Sequence, residues 1–341
     1  MESVNVKKNK HKTVEYGRYG YFFIAPFFLV FAIFQLWPLI YTIGLAFCEN
    51  YTDTMFNVEI GPTFNGLANL KDVLISKDGK LFDTYTCHAL GNTLIMWALN
   101  FLPQILLALL LAVWFTDTKV KLSGQGAYKV MVFMPNIITA ATIAVLFYSL
   151  FNYPNGPVNQ ILTSTGLLDE PYRFFNSKWA TRGLISFINF WMWYGNTMIV
   201  LTAGVLGISP SLFEAARVDG ATSWQIFKKV TLPLLRPIML FTLVNSAIGG
   251  LQMFDIPKLL TTSGYGDPDY TTRTMTMYIR DLAFTGSKQV GKASAASLVL
   301  FVVTLFFSLI LFYIMRDKDA IAEKKQIKKA QKAIAARKGA N

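Results

Sequence analysis

PSLFEAARVDGATSWQIFKKVTLPLLRP, residues 210–237, separates two long uncharged runs and is itself amphipathic. Ser211 stands three residues before Glu214, the spacing of a capping box in which each side chain satisfies one unpaired backbone donor. Phe213, Ala216 and Val218 supply apolar surface, Gly220 permits a sharp turn, and Trp224, Phe227 and Val230 resume helical spacing before Pro233. The pattern predicts two short helices joined at a glycine, the second ended by Pro233.

Outward from this loop the chain reads as membrane. A bilayer core about 30 Å thick needs about 20 apolar helical residues to cross. Six uncharged runs approach or exceed that length: Tyr19–Phe47, Ala89–Phe115, Val130–Phe151, Gly183–Ile208, Ile238–Phe254 and Ala293–Met315. The runs are too long for barrel strands and do not alternate, so helices are expected. With 53% hydrophobic and 15% charged residues the chain sits far from an average soluble domain. The basic start is followed by an apolar run too long for a signal peptide and without a small-residue cleavage site, and so reads as an uncleaved first span.

Lys and Arg between the spans set the expected orientation. With the N-terminus inside, 21 of the 32 basic residues and 8 of the 20 acidic ones are cytoplasmic, which places loop 210–237 on that side. The net charge of +12 is thus a topology signal. Basic residues are not interleaved with aromatics in a soluble stretch, which argues against nucleic acid. Two cysteines and two histidines cannot build a zinc site, and no catalytic or metal-ligating cluster is evident. The expected fold is an all-α integral membrane protein of about six transmembrane helices: a basic cytoplasmic segment at 1–18, a six-span domain at 19–315 and a basic cytoplasmic tail at 316–341.

The central loop resembles the E-A-A loop of ATP-binding-cassette (ABC) importer permeases. Glu214-Ala215-Ala216, three residues, Gly220, nine residues, then Val230-x-Leu232-Pro233 follow the family pattern except that Val230 stands where Ile is usual. Asp219-Gly220-Ala221 is the form common in carbohydrate permeases. The resemblance spans roughly residues 20 to 315 and includes GPVNQIL, expected as a short external helix, and LQMFDIPKLLT. It implies a coupling helix seated in a cleft of an ATPase subunit. Glu214 would form a charge-assisted bond there, small Ala215 and Ala216 would let the backbone approach, and Asp219 and Gly220 would complete the turn. Further implied are a second, related permease, two ATPase subunits that bind ATP and Mg, an external solute-binding protein, and location in the cell membrane with both termini cytoplasmic. This chain itself would hold no cofactor and hydrolyse nothing.

Polar residues inside spans face a cavity or another helix. The fifth run offers Asn245, Ser246, Gly249, Gly250, Gln252 and Asp255. The resemblance places sugar contacts around Asn245, Gly249 and Gln252, with Trp193 and Tyr194 as aromatic partners. Polar helix packing explains the same residues equally well. Gly286–Ala293 imitates a phosphate-binding loop, but Ala293 replaces the required Ser or Thr and no apolar strand leads in. Cys48 and Cys87 flank one external loop; separate thiols are the simpler expectation, a bridge the alternative. The tail carries nine basic residues, read mainly as a solvated extension that sets orientation, with anionic lipid as a second reading.

An ion-coupled secondary transporter is the competing reading, but it would need ionisable residues deep in the spans or inverted repeats. Neither is evident. A membrane enzyme would need clustered His, Asp, Glu or Cys.

Overall fold

In a computed structural model the chain is described over residues 17–76, 78–116, 124–261 and 263–316. The basic N-terminal segment up to residue 16 and the tail beyond Arg316 lie outside the described residues. In chain order the helices begin with α1 (Gly17–Phe31) and α2 (Trp37–Ala46), joined through a π-helical turn at Ala32–Leu36 into one long element. A hairpin of β1 (Cys48–Asp53) and β2 (Val58–Phe64) follows, then α3 (Ala68–Leu74), α4 (Tyr85–Trp114), α5 (Gln125–Ile137), α6 (Ala140–Phe151) and α7 (Pro157–Ser164). The second half holds α8 (Lys178–Leu206), α9 (Pro210–Val218), α10 (Ser223–Ile226), α11 (Leu232–Leu251), α12 (Asp255–Leu260), α13 (Met275–Phe284) and α14 (Val290–Met315).

Among the described residues five helical stretches are long and apolar enough to cross a membrane: Tyr19–Ala46, Tyr85–Trp114, Lys178–Leu206, Arg236–Leu260 and Val290–Met315. The third expected span is not a single helix: α5 and α6 meet at an angle of 92°, and count as a sixth crossing only as a broken one. The cause is local. Ile138 and Thr139 are both extended, and the Thr139 hydroxyl accepts the Thr142 backbone N–H at 3.3 Å, so a new helix is capped where the apolar run continues. The fifth span is interrupted too, between Leu251 and Asp255.

The fold is the mostly helical membrane fold expected, and within it the segment after the first span adds a two-stranded antiparallel hairpin. Cys48 pairs with Phe64, Tyr51 with Ile60 and Asp53 with Val58, around an irregularity between Glu49 and Tyr51. The irregularity, together with Gly61 and Pro62, erases the period-2 pattern by which a strand is read. Buried Asn69 staples the hairpin to the span end, donating to the carbonyls of Ala46 (3.2 Å) and Cys48 (2.7 Å). Both cysteines are free, and the Cys87 thiol faces the Val73 carbonyl instead. The expected short helix at GPVNQIL is α7, and Lys292 of the imitation phosphate loop pairs with Asp72 at 2.9 Å.

The bundle core runs between α4 and α8, where Met96, Ile185, Ile188 and Met192 meet Ile143 of α6 and Ile256 and Leu260 of α12. A second core joins Ala46, Val73 and Ala89 to Met275 and to Ala295, Ala296 and Leu300 of α14. The first helix is buried only at its end, at Leu45 and Ala46, and leaves Phe22, Phe23, Phe27 and Phe34 exposed. In water such an apolar surface would drive association; in a bilayer it needs no cover.

Candidate functional site

The 210–226 segment is two short helices joined at Gly220, as its sequence predicts, but its caps differ. Pro210 takes the first helical position, where its fixed φ and missing N–H cost nothing, so Ser209 is the N-cap. Ser211 therefore falls inside the first turn, its hydroxyl 2.8 Å from that of Ser209, and the Ser211–Glu214 capping box does not form. The capping box belongs to the second helix instead. The Thr222 N–H donates to Gln225 Oε1 (2.8 Å) and the Gln225 N–H to the Thr222 hydroxyl (3.3 Å).

Between the two helices Gly220 has φ +76°. The Gly220 N–H donates to the Arg217 carbonyl (3.0 Å) and the Ala221 N–H to the Ala216 carbonyl (2.9 Å), a complete Schellman termination. An added Cβ would meet nothing within 4 Å, so left-handed backbone and not crowding calls for glycine. Pro233 does not end the second helix. A π-helical turn at Phe227–Thr231 runs directly into α11, whose first turn accommodates the proline.

Glu214, Ala215, Asp219 and Gly220 are exposed, Ala216 half-buried. Val218 is 88% exposed and Trp224 67%, with Leu212 open beside them. Behind this face Phe213, Glu214 and Arg217 help to enclose a cavity of about 230 Å³ against Val205, Ile208 and Phe227. The segment thus exposes charges of both signs, Glu214, Arg217 and Asp219, beside apolar Leu212, Val218 and Trp224, and stands on a partly hollow base.

A second cavity, of about 340 Å³, lies within the bundle where the two interrupted spans meet α4 and α8. Its size falls in the lower range of small-molecule sites. Trp193, Asn245, Gly249, Gln252 and Asp255 line it, as do Asn100, Gln104, Asn189 and Asn196. Trp193 is 48% exposed. Tyr194, one residue on, is turned out of this wall and packs against Phe190 with ring centroids 5.4 Å apart. Ser246 and Gly250 line it too, so of the eight residues singled out in the sequence the fold gathers seven around one space and leaves Tyr194 aside.

Three features build the cavity. Gly250 lets α4 and α11 approach closely, since a Cβ there would lie 2.4 Å from the Trp97 ring. Gln104, buried, donates from α4 to the hydroxyls of Thr197 on α8 (2.9 Å) and Ser246 on α11 (3.3 Å), tying three helices beside the opening. The breaks at 138–139 and 252–254 free backbone and side chains that a continuous helix would bury. Asn100, Gln104, Asn189 and Asn196 went unread in the sequence. Each is one amide inside an apolar span, and the rule applied to the fifth run identifies them when applied to the second and fourth. Among the described residues no group of His, Cys, Asp and Glu could hold a metal ion.

The profile of the binding-protein-dependent transport system inner membrane component matches residues 90–318. The chain belongs to this family. It is a permease component of an ABC transporter, and not itself an enzyme. The lactose transport system permease LacF of Rhizobium radiobacter is 31% identical over 299 residues, covering 88% of this chain and 94% of that protein. The trehalose/maltose permease MalF of Thermococcus litoralis is 26% identical over 294 residues, covering 86% and 92%. Among solved structures, a bacterial ABC transporter involved in importing the acidic polysaccharide alginate matches with a TM-score of 0.71 at 25% identity, over 89% of this permease and 98% of that chain. The alginate transporter in complex with an alginate pentasaccharide-bound periplasmic protein matches with a TM-score of 0.67 at 26% identity, over 88% and 96%.

Proposed function

We propose that this permease is one of two membrane-spanning subunits of an ATP-driven importer that takes up a sugar or oligosaccharide delivered by an external solute-binding protein. The observation that carries the reading is the amide-rich cavity with its exposed indole, set between two interrupted spans. Amides donate and accept at once, as sugar hydroxyls do, and an aromatic face suits the apolar side of a sugar ring. Relatives named for lactose, arabinooligosaccharides and trehalose/maltose support the same solute class.

Asn245, Gly249, Gln252, Asp255 and Trp193 form this subunit's share of the solute path. Glu214, Ala215, Ala216, Asp219 and Gly220 form the coupling element on the cytoplasmic side, where Glu214 meets a cation of an ATPase subunit. Two ATPase subunits hold ATP and Mg, a related permease completes the path, lipid surrounds the first helix, and both termini are cytoplasmic. The excess of basic residues on the 210–237 side supports that orientation. Ion coupling is disfavoured because Asp255 is, among the described residues, the single ionisable one lining the bundle cavity.

The experiment is reconstitution in proteoliposomes with the partner permease, the ATPase and the binding protein. A sugar should raise ATP hydrolysis several-fold and accumulate inside only with ATP. Accumulation driven by a proton or sodium gradient without ATP would reject the reading.

A further inference from the structure

We infer that the bundle cavity selects solutes without an anionic group, and that Asp255 is the residue enforcing this selection. The inference rests on the proposed reading of the cavity as solute path and deepens it. Among the described residues no lysine, arginine or histidine lines the cavity, and Asp255 is the one charged residue that does. The side chain is exposed, at the start of α12, beside the break at 252–254. Every other polar side-chain group there is an amide, a hydroxyl or the indole N–H of Trp193.

Asn100 and Asn189 each commit one N–H to their own helices, donating to the carbonyls of Met96 (3.1 Å) and Ile185 (2.9 Å), and keep the other, while Gln104 spends its N–H groups on Thr197 and Ser246. These side chains offer hydrogen bonds but no positive charge. Asn196, Asn245 and Gln252 make no side-chain hydrogen bond among the described residues and remain free to donate or accept. A hydroxyl meets either kind of partner. A carboxylate also meets the negative charge of Asp255, with no cation among the described lining residues to offset its desolvation. An importer of acidic saccharide shares this fold, so the selection belongs to the side chains and not to the architecture.

The test uses the assembled complex of both permeases and two ATPases in nanodiscs, without the binding protein, at low ionic strength so that charge is not screened. Binding of a panel of neutral disaccharides, each beside its terminal-uronate analogue, is measured by saturation-transfer NMR at millimolar sugar. At least one neutral sugar should bind ten-fold or more tightly than its uronate partner. Asp255→Asn keeps the shape and removes the charge, and should raise the uronate affinity until the gap is two-fold or less. A panel in which no neutral sugar outbinds its uronate, or a gap that Asp255→Asn leaves in place, overturns the inference. Trp193→Ala and Asn245→Ala separate the two layers. If neutral-sugar binding survives both, the cavity reading fails; if both abolish it while the gap is indifferent to Asp255, only the charge selection fails.

Discussion

The Gln104 side-chain amide lies 2.9 Å from the Thr197 hydroxyl, a hydrogen bond that crosses from α4 to α8 at the edge of the bundle cavity. The same nitrogen reaches Ser246 of α11 at 3.3 Å, so one residue fixes the spacing of three spans. Interhelical hydrogen bonds in membranes are worth about 0.6 kcal/mol each on average. Gln104→Leu should therefore destabilise the complex by about 1 kcal/mol, read as a fall of a few degrees in the thermal midpoint in detergent. An unchanged midpoint would show that the spans hold their spacing without it.

Glu214 and Gly220 should act in coupling. Glu214→Ala removes an exposed carboxylate that caps nothing in its own helix, and a charge-assisted bond to a partner is worth about 1.5–3 kcal/mol. Solute-stimulated ATP hydrolysis and uptake should fall about ten-fold or more, while the binding protein's affinity for solute stays the same. Gly220→Val forces a β-branched residue to φ +76° and should have the same effect by misaligning α9 and α10. Full uptake in both variants would remove the coupling role.

Thr222→Ala should loosen α10, because the Thr222–Gln225 box is its only N-terminal cap and such caps are worth about 0.5–2 kcal/mol. The check is hydrogen exchange over residues 222–227: faster exchange is expected there and not in α9. Uniform protection would mean that the π-helical turn and α11 hold the segment alone.

The six apolar runs, the two short helices and the turn at Gly220 were legible in the sequence because each follows from local chemistry: uninterrupted hydropathy, helical spacing, and a glycine placed where left-handed backbone terminates a helix. The two interruptions were not. Thr139 sits in a run that stays uncharged through the break, and Gly249, Gly250 and Gln252 read equally well as close helix packing, so neither run carries a periodic signal of its break. The cap at Ser209 was misread for a related reason. Pro210 and Ser211 both favour a helix start, and the proline's fixed φ prevailed. The cavity was partly legible through Asn245, Gln252 and Asp255, crowded into one run. Asn100 and Gln104 stand one turn apart in the second run and Asn189 in the fourth, and only the crossing of α4 and α8 brings the two sets together.

Beyond the cavity the chain between α12 and α13 is held by a buried cation. Arg182 of α8 donates to the Thr271 carbonyl (2.9 Å) and to Asn92 Oδ1 of α4 (2.5 Å), and its guanidinium lies 5.1 Å from the Trp179 ring centre. Asn92 in turn donates to the carbonyls of Tyr270 (2.8 Å) and Arg273 (3.2 Å), and the Met275 N–H reaches the Thr93 hydroxyl at 2.8 Å. Asn92 therefore reads two loop carbonyls while its own oxygen steadies Arg182. Asn92→Ala should release both carbonyls and leave the guanidinium short of an acceptor, a cost of about 1–3 kcal/mol for buried polar groups. The outcome expected is faster trypsin cleavage after Arg273, several-fold over the parent complex. Arg182→Met should have a similar effect. Because the two residues share one hydrogen bond, the double variant should fall short of the sum of the single effects by about 0.5–3 kcal/mol. Strict additivity in cleavage rates would mean that each residue holds the loop independently, and the shared network would have to be abandoned.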